Sequence, residues 1–261
     1  MIIFTIIRTI ITAIVAVLAT TVGGLSAIIA GLFGVEDRAG GIFDHTPRVW
    51  SRVILWAAGI KTVVHNPERM AGTEPRVYLS NHLSWFDIPA LAGALPRYKF
   101  VAKAELFKIP VFGPAIKAIG MVPMERQNRK AAFEAYKVAA DKIRSGSSVV
   151  VFPEGTRGQS YAIRPFKKGP FVLAIAAGVP IVPVLLHGTY DVLPKGGWLV
   201  RSGQFDIHLL EPVPTAGLDY SAREELAEKV RSQIVEALAS IYGIESEPTR
   251  SLAQPQMADS E

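Results

Sequence analysis

The segment Asn81-His82-Leu83-Ser84-Trp85-Phe86-Asp87 places an imidazole and a carboxylate five residues apart. On a regular helix that spacing leaves the two about 140° apart around the axis. At a strand-to-helix junction the same side chains can converge. A carboxylate that meets an imidazole fixes its tautomer and stabilises the imidazolium. A histidine held in this way can take a proton from an alcohol. Ser84 stands three residues before Asp87, close to the capping-box pattern of a helix start, with Asp where Glu is usual. The plainer reading of these residues is a capped helix beside a surface histidine.

A second segment, Phe152-Pro153-Glu154-Gly155-Thr156-Arg157-Gly158, follows the apolar run Val149-Val150-Val151. In an α/β sheet, ligands gather at such strand ends. Gly155 and Gly158 permit close backbone approach. Arg157 can grip a phosphate through two N–H groups. Glu154 can position Arg157 or a substrate hydroxyl, and Thr156 lies between them in the turn. An ordinary turn with an internal Glu–Arg pair accounts for the same residues. No Gly-Lys-Ser/Thr follows, so this is not a Walker loop. Gly120-Met121-Val122-Pro123-Met124-Glu125-Arg126 is a further β-rich run ending in charge, and Lys103 follows Phe100-Val101-Ala102. If these strand ends share one edge of a sheet, Lys103, Arg126 and Arg157 would surround His82 with positive charge.

The elements that must position these groups alternate. Strands are expected at 61–65, 77–80, 98–102, 121–124, 148–152, 181–186 and 205–210, and helices at 86–95, 129–145, 169–177 and 221–242. Gly146 and Gly178 stand where helices stop. Strand–helix–strand alternation predicts an α/β fold, a sheet flanked by helices. The expected organisation is an N-terminal helical part over 1–60, an α/β domain over 61–244 and a flexible polar tail over 245–261.

Residues 1–33 carry one charge, Arg8, and none occurs from Thr9 to Val35. A helix of that length reaches about 40 Å, enough for a hydrocarbon core of about 30 Å. Gly23, Gly24, Gly31 and Gly34 are candidate breaks. A second apolar stretch over 49–64 contains Trp50 and Trp56, suited to the headgroup level, with Arg52 and Lys61 able to snorkel. The pair either spans a bilayer or dips into one leaflet; a cleaved signal peptide fits less well. On the spanning reading, Arg38, Arg48, Arg52 and Lys61 against Arg8 place the catalytic domain on the cytoplasmic side of an inner or cytoplasmic membrane.

With 261 residues, 49% of them hydrophobic and 20% charged, general disorder is excluded. There is no cysteine, which excludes disulfide scaffolds and thiolate nucleophiles. The net charge of +5 favours anionic partners. No basic run interleaved with aromatics occurs, so nucleic acid is not an expected partner. His45, His65, His82, His187 and His208 show no metal-ligand spacing, and no metal is expected.

Asn-His-x-Ser-x-x-Asp, Gly-x-x-x-x-Glu-Arg, Phe-Pro-Glu-Gly-Thr-Arg and Val179-Pro180-Ile181-Val182-Pro183-Val184, in that order, resemble the 1-acylglycerol-3-phosphate O-acyltransferase family over about 64–210. The resemblance implies transfer of a fatty acyl group from a thioester, acyl-CoA or acyl carrier protein, to the sn-2 hydroxyl of lysophosphatidic acid at a membrane bilayer, with no resident cofactor. It implies His82 as general base held by Asp87 and no acyl-enzyme; acyl transfer in general requires an oxyanion donor, and a backbone N–H around Gly155 is the candidate. By the same resemblance Arg126 and Arg157 bind the acceptor phosphate, Glu154, Gly155 and Thr156 order the acceptor, and Lys103 adds charge. The 179–184 run is a packing strand. Other lysolipid acceptors, such as a lyso-ornithine lipid or a lysophospholipid with a head group, and a non-catalytic membrane lipid-binding role are the alternatives.

Overall fold

Among the described residues seven strands form one mixed sheet in the order β1-β7-β6-β2-β5-β3-β4. They are β1 (Ile60–His65), β2 (Val77–Ser80), β3 (Tyr98–Lys103), β4 (Val122–Met124), β5 (Ser148–Val151), β6 (Ile181–His187) and β7 (Gly203–Leu209). Every pairing is parallel except β6 with β7, which is antiparallel. The computed structural model describes residues 2–125 and 127–246, so Arg126 and most of the expected polar tail lie outside the described residues. All seven expected strands are present, 77–80 with the expected bounds and the others with ends shifted by one or two residues.

Strand periodicity builds two cores. Tyr78, Phe100, Val150 and Val182 face α2 (Ile42–Ala57) and α3 (Asp87–Ala94), with Ile54, Leu55, Ala90 and Leu91 packed against them. Val77, Leu79, Val101, Val149 and Val151 face the opposite way. They pack on α5 (Arg129–Arg144), α6 (Gly169–Ala177) and α8 (Arg223–Tyr242). A parallel sheet covered on both faces needs such continuous apolar runs. Two short helices complete the described set: α4 (Phe112–Ala118), which interrupts a Gly- and Pro-containing stretch with no expected element, and α7 (Thr189–Val192).

The N-terminal helix α1 (Ile2–Leu32) runs unbroken through Gly23, Gly24 and Gly31. The expectation that these glycines break it is therefore corrected. They are contact points: a Cβ on Gly24 would lie 3.2 Å from both Val111 and Ala115, and one on Gly23 would lie 3.2 Å from Thr46. Small residues let α1 close onto α2 and α4. The helix ends at Gly34, whose φ of +70° needs glycine, with Val35 N–H bonded to the Ala30 carbonyl at 3.0 Å, a Schellman stop.

The helical pair is tied to the sheet along its length. Thr9 Oγ1 accepts from Val200 N–H at 2.9 Å, and Trp50 Nε1 donates to Thr20 Oγ1 at 2.9 Å. Trp50 is thus turned into the helix pair, while Trp56 is exposed. Lys99, fully buried on β3, pairs with Asp37 in the α1–α2 connection at 2.9 Å and donates to the Ile119 carbonyl at 2.8 Å. Burial pushes the Lys99 amine below its usual range, with Asp37 acting in the opposite direction. The outer face of α1 is a stripe of exposed Ile, Val, Leu and Phe.

Candidate active site

Leu79 of β2 lies beside Val151 of β5 in a parallel pair, so the His82 and Glu154 segments leave the sheet side by side. β3 and β4 run the same way, which brings Lys103 and Glu125 to the same edge. The turn after β2 is anchored by Asn81. Its Nδ2 donates to the Leu186 carbonyl at 2.9 Å, and its Oδ1 accepts from Leu186 N–H at 2.7 Å. The chain then turns outward at His82 and enters α3 at Asp87.

His82 Nδ1 lies 2.7 Å from Asp87 Oδ2, and the same oxygen accepts from Leu83 N–H at 2.6 Å and Ser84 N–H at 2.8 Å. The Ser84 bond is one half of the expected capping box. The other half is shifted by one residue: the Ser84 hydroxyl accepts from Phe86 N–H at 3.2 Å instead of from Asp87 N–H, and donates to the Leu193 carbonyl at 2.7 Å. The Asp87 side chain is fully buried and that of His82 is 13% exposed. Asp87 Oδ1 has no hydrogen-bond partner among the described residues. With Nδ1 engaged, Nε2 is the nitrogen left to meet a substrate. The imidazole stacks on Phe152, centroids 4.0 Å apart, which fixes the ring plane.

The Glu154 segment supports this turn from below. Glu154 is buried; its Oε1 accepts from His82 N–H at 2.9 Å and its Oε2 from Arg164 Nε at 2.9 Å. Burial pushes the Glu154 carboxyl above its usual range, opposed by the His82 and Arg164 N–H groups. Arg164 also donates to the Thr156 carbonyl. Gly158 N–H bonds the His82 carbonyl at 2.7 Å, and a Cβ there would come within 3.0 Å of Leu83. Gly155 sits at φ +77° with the Lys167 side chain over its Cα. Its N–H donates to the Phe152 carbonyl at 3.0 Å, so the expected oxyanion donor is already engaged inside the turn.

The cations are placed differently from one another. The Arg157 guanidinium lies 4.7 Å from the centre of the Trp85 ring, on the same turn as His82. Thr156 is exposed beside it. Lys103 is exposed at the end of β3 and pairs with Glu105 at 3.2 Å. Arg126 lies outside the described residues. Arg164 was not singled out in sequence; the cue was its place in Arg164-Pro165-Phe166-Lys167-Lys168, three cations closely following Arg157.

A cavity of about 440 Å³ opens beside the turn, lined by Trp85, Phe86, Phe100 and Leu193 from the sheet domain and by Thr12, Ala13, Ala16 and Gly23 from α1. Almost all of its wall is apolar. It is the shape and chemistry of a hydrocarbon chain site.

The opposite edge of the sheet gathers three of the histidines. His65 Nε2 pairs with Asp206 at 2.8 Å, His208 Nε2 with the Tyr242 hydroxyl at 2.7 Å, and His187 stacks on Tyr242 at 3.6 Å. Ligand atoms of His65, Asp206 and His208 all lie within 4.8 Å of one another. The His65 and His208 rings stack face to face, 6° from parallel, so their in-plane lone pairs do not converge on one point. Burial, with His65 alongside, holds His208 down at about 4. A histidine kept neutral in the fold and protonated when unfolded loses its contribution as pH falls from about 6.5 to about 4. The thermal midpoint is expected to drop across that window, and to drop less in His208→Asn.

The comparisons with known proteins meet this geometry. The family model described as Acyltransferase matches residues 61–187. The human protein 1-acyl-sn-glycerol-3-phosphate acyltransferase alpha is 33% identical over 190 residues, covering 72% of this chain and 67% of that protein. The chain belongs to the 1-acyl-sn-glycerol-3-phosphate acyltransferase family. A Brassica napus family member, BAT2, chloroplastic, is 31% identical over 83% of this chain and 64% of its own length, so the chain spans less than two thirds of that relative. The crystal structure of the 1-acyl-sn-glycerophosphate (LPA) acyltransferase PlsC from Thermotoga maritima superposes with a TM-score of 0.79 at 26% identity, covering 94% of this chain and 99% of that one. The family fold thus includes both the sheet and the N-terminal helices.

Proposed function

We propose that this protein transfers a fatty acyl group from an acyl thioester, acyl-CoA or acyl carrier protein, to the sn-2 hydroxyl of 1-acyl-sn-glycerol-3-phosphate, giving phosphatidic acid. The reading rests on the 2.7 Å contact of His82 with Asp87, set between an arginine and an apolar cavity. His82 Nε2 takes the hydroxyl proton as the oxygen attacks the thioester carbonyl. The carbon–sulfur bond breaks, and the imidazolium returns its proton to the leaving sulfur. No acyl-enzyme forms; the Ser84 hydroxyl is turned away onto Leu193. Asp87 orients the ring and stabilises its charge. Glu154 acts through the backbone of His82 as a positioning residue. Arg157, steadied on Trp85, binds the acceptor phosphate; Arg126, Thr156 and Lys103 carry the supporting roles that the family resemblance implies.

The protein works at a membrane surface. Each lipid CH₂ kept out of water is worth about 0.8 kcal/mol, so an enzyme seated at the interface need not extract its acceptor. The contacts of α1 favour a dip over a span. Thr9 and Gly31 both touch the sheet domain side. They are about 33 Å apart along the helix, the full thickness of a hydrocarbon core of about 30 Å. A helix crossing the bilayer upright would drag the polar domain through it. The helical pair therefore lies in one leaflet, with its apolar stripe in lipid.

The test is an assay of the purified protein with lysophosphatidic acid and labelled palmitoyl thioesters; no transfer to any phosphate-bearing lysolipid overturns the reading. Arg157→Ala is expected to raise KM for lysophosphatidic acid about 10- to 100-fold, the weight of a charge-assisted hydrogen bond. An unchanged acceptor dependence would remove Arg157 from the phosphate site.

A further inference from the structure

On the face of the sheet away from α1, α5 and α6 border a second cavity, a cleft of about 1140 Å³. Among the described residues six cations line it, Lys137, Arg144, Arg164, Lys167, Lys168 and Arg223, and Glu154, buried against Arg164, is the single acidic residue on its wall. Four of the other cations lean on carboxylates at the rim, Lys137 on Glu134, Arg144 on Asp141, and Lys168 and Arg223 together on Glu224. Lys167 is in no ion pair among the described residues. Its stem lies over Gly155, next to the catalytic turn. Exposed rings accompany the charges, Phe133 under Lys137 at 4.7 Å and Tyr220 under Arg223 at 4.1 Å.

The cleft and the apolar cavity come up to neighbours of the catalytic pair from opposite faces of the sheet. Phe152, stacked on the His82 ring, lines the cleft; Trp85 and Phe86, on the His82–Asp87 turn, line the apolar cavity. A thioester carbonyl held at His82 sends its alkyl chain one way and its sulfur-linked carrier the other. The chain fits the apolar side. The carrier is water-borne and anionic, and must come from the side that α1 does not hold in lipid. Positive charge concentrated in a walled cleft attracts such a group and strengthens its contacts.

We infer that the α5–α6 cleft binds the phosphate-bearing pantetheine carrier of the acyl donor, with Lys167 as the cation nearest the thioester and Lys137, Lys168 and Arg223 on the outer phosphates. The inference rests on the acyl-transfer reading above and adds the route by which the donor enters. It also separates two anion sites: the acceptor phosphate at Arg157, on the Trp85 side of the turn, and the donor carrier at Lys167, on the α5–α6 side.

The experiment measures steady-state transfer to lysophosphatidic acid from palmitoyl-CoA, from palmitoyl-acyl carrier protein and from S-palmitoyl-N-acetylcysteamine, which has no phosphate. Calorimetric titration with coenzyme A runs alongside. Lys167→Ala is expected to raise KM for palmitoyl-CoA about tenfold, and to shrink the preference for it over the phosphate-free thioester by the same factor. KM for lysophosphatidic acid is expected to stay put. Lys167→Arg is expected to restore the preference, which a folding defect would not do. Lys61→Ala, on the far β1 edge, serves as the surface-charge control. A shift seen with palmitoyl-acyl carrier protein but not palmitoyl-CoA supports the cleft with the protein-borne carrier as its occupant. A rise in KM for lysophosphatidic acid, an equal loss with all three donors, or no change overturns the inference. Coenzyme A binding that depends on Lys167, in a protein that acylates no lysophosphatidic acid, would overturn the acceptor reading and leave the cleft assignment standing.

Discussion

His82→Ala is expected to lower kcat for acyl transfer by about 10²- to 10⁴-fold, the usual weight of a general base. The loss should fall on kcat, because Nε2 engages the hydroxyl proton while the chain cavity and the cationic groups hold the substrates. The fold should survive. The turn that carries His82 is fixed by its backbone: its N–H to Glu154, its carbonyl to Gly158, and Asn81 on Leu186. The thermal midpoint separates the two effects. A variant that melts like the parent and turns over like the parent would remove His82 from the chemistry.

Asp87→Asn is expected to lower kcat about 10²-fold, through loss of the negative charge that supports the imidazolium, with the His82 tautomer kept by the amide oxygen. The direction of the new amide is forced. Leu83 and Ser84 N–H both point at Oδ2, so the amide oxygen must occupy that position. The amide nitrogen then takes the place of Oδ1, a buried position without a partner. That unmet donor costs about 1–3 kcal/mol of stability. The ring loses its negative neighbour and the imidazolium loses its support. Asp87→Ala should be less stable still, since it leaves two buried backbone N–H groups unpaired. An Asn variant with parental kcat would reduce Asp87 to a helix cap.

Much of this is legible in the sequence, for local reasons. The 77–80 and 148–151 strands are short apolar runs between turn residues, and the α6 helix is bracketed by Gly169 and Gly178. His82 and Asp87 lie five residues apart at such a boundary, so one local turn decides whether they meet. Contacts made over long separations left no trace. Glu154 reaches the backbone of a residue 72 positions earlier, and His65 reaches Asp206 across 141. Residue type said only that Glu154 could find a cation or a hydroxyl; the cation it found, Arg164, lies beyond the segment that drew attention. The glycines of α1 misled for the opposite reason. Local propensity reads Gly23 and Gly24 as breaks, while packing against Thr46, Val111 and Ala115 makes them the places where the helix can come close.

Thr12, Ala13 and Ala16 make α1 part of the wall around the chain cavity, and Thr9 within it and Asp37 just beyond it tie it to the sheet domain. The membrane anchor is therefore not an interchangeable module. Grafting an unrelated hydrophobic helix in its place would return the protein to the lipid surface with one side of its fatty-acid gauge missing, so residues on the inner side of the anchor would set which tail lengths are accepted.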